Sequence, residues 1–351
     1  MSKTAVVLFN LGGPDSKAAI KPFLFNFFTD PNIIRLPYPL RWVIAKLIAR
    51  RRSKKEAGNS YGELGDKSPL LANTQEQADA LESMLGNGYK VFVCMRYWHP
   101  MADEVAKEVK SYNPDKIVLL PLYPQYSTTT TKSSYQQWQK ACAKNHLHKP
   151  EKLICCYPTE NGFIRANAAN VKEIYDKAFL ETGMTPRILL SAHGLPEDIV
   201  KDGDPYQYQA EKTAEEIIRA TAIENPDWQI CYQSRVGPKK WLSPSTEDAL
   251  KKAAADKVPV IILPHAFTQE HVETLVEIEI EYREMAEHLG VPAFYRVPTV
   301  GTYPDFIRGL ADMVIASNTA PAIASNIGVS VCPSGAKDCA MKALKVSCCC
   351  C

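Results

Sequence analysis

The chain has 351 residues, 46% of them hydrophobic and 23% charged, and its 41 basic and 39 acidic side chains leave a formal charge of +2. That balance supplies neither the basic field a nucleic-acid partner needs nor a net charge for an acidic surface. No apolar run reaches the roughly eighteen residues of a spanning helix, and the length fits two medium domains better than one.

The N-terminal "MSKTAVVLFNLGGPDS" has too short an apolar run for a secretory leader and reads as a first strand entering a Gly-Gly-Pro turn. Seven more short aliphatic or β-branched runs follow, at 89–97, 115–123, 151–158, 187–194, 228–235, 258–265 and 293–300. Most are apolar throughout their middle, as parallel strands buried on both faces are. Stretches such as "MADEVAKEVKSY" and "QAEKTAEEIIRATAIE" have the periodicity of amphipathic helices between them. The alternation predicts an α/β protein with doubly wound parallel sheets flanked by helices and right-handed crossovers.

The runs also repeat in order. "FNLGGP" and "SAHGLP" each end a strand in a Gly and Pro turn, "CMRY" and "CYQSR" each end one in arginine, and "VLLPLYP" pairs with "IILPHAF". Two similar halves are therefore expected, 1–165 and 166–315, followed by a cysteine-bearing extension, 316–351. Residues 20–55, rich in aromatic and aliphatic side chains and ending in a basic cluster, interrupt the pattern. They read as helices packed on the first half with a solvated basic end, or as an apolar lip over a cleft that touches a membrane surface.

In open parallel sheets ligands bind beyond the carboxyl ends of the strands, which places the 11–14 turn, Arg96, Tyr123, His193, Trp241 and residues 265–273 around one cleft. A helix is expected from about Thr268, whose hydroxyl would cap it, and Glu273, Glu277, Glu281 and Glu284 fall four, four and three apart on one face. Such a stripe is either a solvated acidic face or a path for a divalent cation beside a neutral imidazole. No GxGxxG, P-loop, HExxH or nucleophile elbow occurs, and His193, His265 and His271 lack zinc-ligand spacing.

In this order, "LFNLGGPDS", "SYGELGDKSPL", "MRYWHP", "LPLYPQYSTTTT", "SAHGLPEDIVKDGDPY", "YQSRVGPKKWLSPST" and "PHAFTQEHVETLVEIEIEY" resemble the ferrochelatase family, which inserts ferrous iron into a porphyrin. The resemblance implies two Rossmann-like domains with the porphyrin between them. It implies His193 and Glu273 as the catalytic and metal-binding pair, with His271 nearby, and Leu11, Tyr61, Arg96, Tyr123, Trp241 and Phe267 lining the macrocycle. Arg51 or Arg52 would meet a propionate.

Protoporphyrin IX and Fe(II) are the implied substrates, the latter in place of any required cofactor. Alternatives are coproporphyrin III as substrate, a cobalt chelatase, or a porphyrin carrier. Some members of the family hold a [2Fe-2S] cluster, for which Cys155 or Cys156, Cys332 and Cys339 would serve here. Met341 stands where a bacterial pattern has a further cysteine, so the fourth ligand is left to the Cys348–Cys351 run or is missing. Eleven cysteines without a leader point to reduced cytosolic thiols. A cytoplasmic monomer or homodimer, peripheral to a membrane and without nucleic acid, is the corresponding expectation.

Overall fold

The computed structural model describes residues 2–56, 62–65, 67–235 and 239–344. All eight expected strands form: β1 (Thr4–Asn10), β2 (Tyr89–Met95), β3 (Lys116–Pro121), β4 (Glu151–Cys156), β5 (Arg187–His193), β6 (Trp228–Gln233), β7 (Val260–Leu263) and β8 (Phe294–Arg296). A ninth, β9 (Ile323–Ser325), was not anticipated. They build two parallel sheets, β2-β1-β3-β4-β9 and β6-β5-β7-β8. The first four strands of each half thus share one order, second-first-third-fourth, which gives the repeated motifs a structural counterpart. The extension adds the edge strand, with Leu153 registered on Ile323.

The strands are apolar throughout because both faces are covered. On the first sheet Val6, Leu8, Val118 and Leu120 face one apolar cluster, while Ala5, Val7, Ile117 and Leu119 face another. The first of these clusters also takes Ile188, Leu190, Ile261 and Leu263 from the second sheet, together with Phe163 and Phe306 from the helices Asn161–Thr182 and Pro304–Ala316. One core therefore runs between the two sheets. Fully burying a side chain such as Leu or Phe contributes about 1.5–3 kcal/mol, so this shared layer fixes the halves against each other.

The interrupting segment forms two helices, α1 (Ile20–Phe28) and α2 (Tyr38–Glu56). Ile20, Phe23, Leu24 and Phe28 pack with Ala45 and Ala49 of α2, and Val272 from the second half joins them. Along the other side of α2 and its approach, Leu36, Tyr38, Leu40, Trp42, Val43 and Leu47 are exposed. The segment thus has the packed face that the first reading expected, and beside it an exposed apolar side. Helix α3 (Leu70–Leu85) carries Leu70, Thr74, Gln77, Ala78 and Leu81 on its buried face. No described helix is long and apolar enough to cross a membrane.

Candidate active site

In each sheet the chain winds first to one side and then to the other, so its direction reverses between the first and third strands. The crevice outside the carboxyl ends at that point is where such sheets bind ligands. His193 is the last residue of β5, and residues 264–273 follow β7, its neighbour at the reversal. Leu11 and Tyr123 stand at the matching places after β1 and β3.

The turn after β5 is tightly built. A side chain on Gly194 would meet the Gln233 carbonyl at 2.8 Å and the Trp241 ring at 3.3 Å, so glycine lets Trp241 close over the turn. His193 Nδ1 lies 2.7 Å from the Gly194 carbonyl. A carbonyl only accepts, so Nδ1 carries the hydrogen and Nε2 keeps the lone pair in the neutral imidazole. Nε2 faces Glu273 Oε1 at 3.9 Å, with the His193 side chain 37% exposed. On the other side of the carboxylate, His271 Nε2 is 3.8 Å from Glu273 Oε2. The Phe267 ring leans on His271 with centroids 4.5 Å apart. Burial holds His271 below the ordinary histidine range, against the opposing pull of Glu273 and Glu270.

Glu273 Oε2 is buried without a hydrogen-bond partner. A buried carboxylate oxygen in that condition costs stability, which makes it a candidate for a cation or an N–H donor. Glu277, one turn on, is raised above the ordinary carboxylate range by burial first and by Glu273 second. It accepts from the Ser234 amide at 2.8 Å and from the Tyr282 hydroxyl at 3.0 Å. Glu281 and Glu284 are exposed further along. Glu270 and Glu279 are tied to Arg296 at 2.8 and 2.9 Å; among the described residues the other four glutamates pair with no arginine or lysine.

The helix bearing this stripe differs from the expectation in start and pitch. Residues 264–271 are irregular, and Glu273–Tyr282 is a π-helix, a rare wider coil that is frequent at functional sites. Thr268 does not cap it: its hydroxyl faces two acceptors, the Leu122 carbonyl of the first half and Gln269 Oε1, each at 3.1 Å.

The remaining expected residues are distributed as follows. Leu11 packs in the α1–α2 cluster with Trp98 and Val272, which joins it to the foot of the π-helix. Tyr123 is half-buried against the outer cluster of the first sheet. Arg96 is anchored, its Nη2 2.9 Å from Asp30 Oδ2 and its Nε donating to Ser133 Oγ at 2.6 Å. Arg51 is exposed on α2, whereas the Arg52 guanidinium lies over the Phe28 ring at 5.7 Å. Tyr61 lies outside the described residues. His265 is fully buried beside the Ala210 carbonyl at 3.2 Å and forms no group with His193 and His271. Sequence reasoning missed Asp30, Asn10, Gln77 and Gln269. Thr74 and Gln77 did carry a signal, because they share the helical face of Leu70, Ala78 and Leu81.

At the far end of β4, Cys155 and Cys156 are buried with sulfurs 3.9 Å apart. Gln209 Nε2 donates to Cys156 Sγ at 3.5 Å and to Cys332 Sγ at 3.1 Å, and the Cys332 and Cys339 thiols meet. The cysteines therefore gather, but Met341 packs with apolar neighbours, and no group of three or more His, Cys, Asp or Glu among the described residues is arranged to hold a metal ion. The described set does not fit a four-thiolate cluster, and Cys348–Cys351 lie outside it.

A model of the ferrochelatase family matches residues 3–318. The ferrochelatase of Wolbachia sp. subsp. Drosophila simulans (strain wRi) is 50% identical over 317 residues, covering 89% of this chain and 99% of its own length. That of Caulobacter vibrioides (strain NA1000 / CB15N) is 49% identical over 317 residues, 89% of either chain. That of Pelagibacter ubique (strain HTCC1062) is 46% identical over 323 residues, 90% of this chain and 92% of its own. The solved structure of SirB from Bacillus subtilis with Fe3+ shares the fold at TM-score 0.52 and 12% identity, covering 90% of this chain and 96% of its own. A family match over nearly the whole length, with relatives sharing half of their residues, shows that the chain belongs to the ferrochelatase family, the lyases that insert ferrous iron into a porphyrin.

Proposed function

We propose that the protein inserts Fe(II) into protoporphyrin IX in the last step of making protohaem, with His193 and Glu273 as the working pair. The observation that carries this reading is the imidazole lone pair of His193 set 3.9 Å from a carboxylate whose second oxygen is buried and unpartnered. A free porphyrin has two pyrrole N–H protons that must leave as the metal enters. Nε2 of His193 accepts a proton, and Glu273 stabilises the imidazolium that forms. The same carboxylate helps strip water from Fe(II), with Glu277, Glu281 and Glu284 as its approach from the surface. Imidazole and carboxylate offer two ligands, and the porphyrin nitrogens complete the set.

In this reading Leu11, Tyr61, Arg96, Tyr123, Trp241 and Phe267 wall the macrocycle. Gripping the rim and bending the ring exposes nitrogen lone pairs on one face, which spends binding energy toward the transition state. Arg51 or Arg52 meets a propionate. The division into 1–165, 166–315 and an extension belongs to the same reading, the cleft lying between the first two. The family resemblance and the apolar segment 20–48 favour a less carboxylated porphyrin over coproporphyrin III, and the exposed apolar side of α2 suits peripheral contact of a cytoplasmic protein, monomer or homodimer, with a membrane. The chemistry needs no resident cofactor. Total iron and acid-labile sulfide in anaerobically purified protein decide whether the terminal cysteines complete a [2Fe-2S] cluster.

The test is anaerobic incubation with Fe(II) and either protoporphyrin IX or coproporphyrin III, following loss of free-porphyrin fluorescence. Faster turnover of protoporphyrin IX is expected. Faster turnover of coproporphyrin III would reassign the substrate, preference for Co(II) the metal, and stoichiometric binding without turnover would support a carrier.

A further inference from the structure

Residues 264–271 lack a hydrogen-bonded ladder of their own, yet they set where Phe267, His271 and Glu273 point. Their placement must come from what grips them. Much of that grip comes from the first half. Gln77, fully buried on α3, donates through Nε2 to the Thr268 carbonyl at 2.9 Å and to the Gly301 carbonyl at 2.6 Å, and its Oε1 accepts from Gln269 Nε2. Asn73, one turn earlier, donates to the Glu270 carbonyl at 2.8 Å. Asn10 Nδ2 reaches Gln269 Oε1 at 3.0 Å and Thr74 Oγ1 at 2.9 Å. Among the described residues the side-chain bonds of Gln77 all go to the second half, and three consecutive residues before His271 are held from α3.

We infer that Gln77, with Asn73, is a positioning residue for metal insertion: helix α3 of the first half sets the loop that aims His271 and Glu273 of the second. The inference rests on the roles proposed above for His193 and Glu273. Neither amide touches porphyrin or iron in this scheme, so loss of either should act mainly on the chemical step, with porphyrin binding weakened only as far as Phe267 shifts. A misplacement on the order of 1 Å costs up to about a hundredfold in rate.

The experiment compares Gln77→Met, which keeps length and removes every bond, with Asn73→Leu, which frees only the Glu270 carbonyl. Anaerobic kcat, KM for Fe(II), porphyrin Kd by fluorescence quenching and Tm are measured on each and on the unaltered protein. Expected for Gln77→Met is a kcat lowered roughly 10- to 100-fold with porphyrin Kd raised far less than that, and a smaller fall of the same kind for Asn73→Leu. If Gln77→Met does not fold, the half-buried Asn73 decides alone. A folded variant with unaltered kcat, or a kcat loss matched by loss of porphyrin affinity, would overturn the inference. An unaltered protein that fails to turn over would overturn the functional reading first and this one with it.

Discussion

The turns after β1 and β5 occupy the same place in two sheets of the same order, and they carry Leu11 and His193 before a glycine. Leu11 is packed into the α1–α2 cluster, whereas His193 keeps a lone pair and more than a third of its side chain open. The duplicated frame supplies two equivalent edges, and only one of them carries an acid–base group. Position beyond a strand's carboxyl end is therefore not what marks a reactive residue. In the proposed reading the unspent lone pair at that position is what sets His193 apart.

The sharpest way to break the comparison is to remove the imidazole. His193→Ala should lower kcat for iron insertion by about 10²- to 10⁴-fold, the usual worth of a positioned general base, while Tm stays close to that of the unaltered protein. Leu11→Ala should instead act mainly through porphyrin affinity, because in the proposed reading Leu11 is part of the macrocycle wall. Near-unaltered turnover by a folded His193→Ala variant would remove the residue from the mechanism.

The second strands repeat the contrast in reverse. Arg96, after β2, is largely buried against Asp30, and Arg235, after β6, is 39% exposed and 4.0 Å from Asp248. Burial opposes ionisation of Asp30, but Arg96, the Ser133 and Tyr97 hydroxyls and the Asn32 amide outweigh it and hold its carboxyl below the ordinary range. Asp30→Asn leaves a buried guanidinium without its counter-charge and should destabilise by about 3–5 kcal/mol, read by denaturant unfolding. Arg235→Ala should change stability by less than about 0.5 kcal/mol. Equal losses from the two would show that Arg96 is not anchored as described.

The residues that were legible in the sequence are those whose neighbours repeat a pattern. The eight strands announced themselves because burial on both faces demands unbroken aliphatic runs. His193 and Glu273 followed from strand ends, helical spacing and the family resemblance. What was hidden depends on distant partners. Asp30 and Arg96 are 66 positions apart and Gln77 and Thr268 191 apart, so no local period links them. β9 is three residues long and is a strand only because the β4 edge is there to receive it. The π-helix escaped because four-residue spacing keeps the glutamates on one face of either coil. Thr268 reads as a cap until Leu122 is brought beside it.

The third strands carry the smallest contrast, Leu122 after β3 and His265 after β7, both buried. An imidazole in a site that suits leucine elsewhere must stay neutral, and burial lowers its pKa from 6.5 to about 4, against a hydrogen bond to the Ala210 carbonyl. The unfolded chain then takes up the proton first as pH falls, so the unfolded state gains between 6.5 and 4 and the fold loses stability in that window. At about 1.36 kcal/mol per unit, His265 should account for on the order of 1 kcal/mol of the stability lost between pH 7 and 5.5. His265→Gln does not titrate and can still donate to Ala210, so its unfolding free energy should fall less than that of the unaltered protein over the same interval. Groups common to both cancel in that difference, and equal falls would mean that burial does not hold His265 neutral.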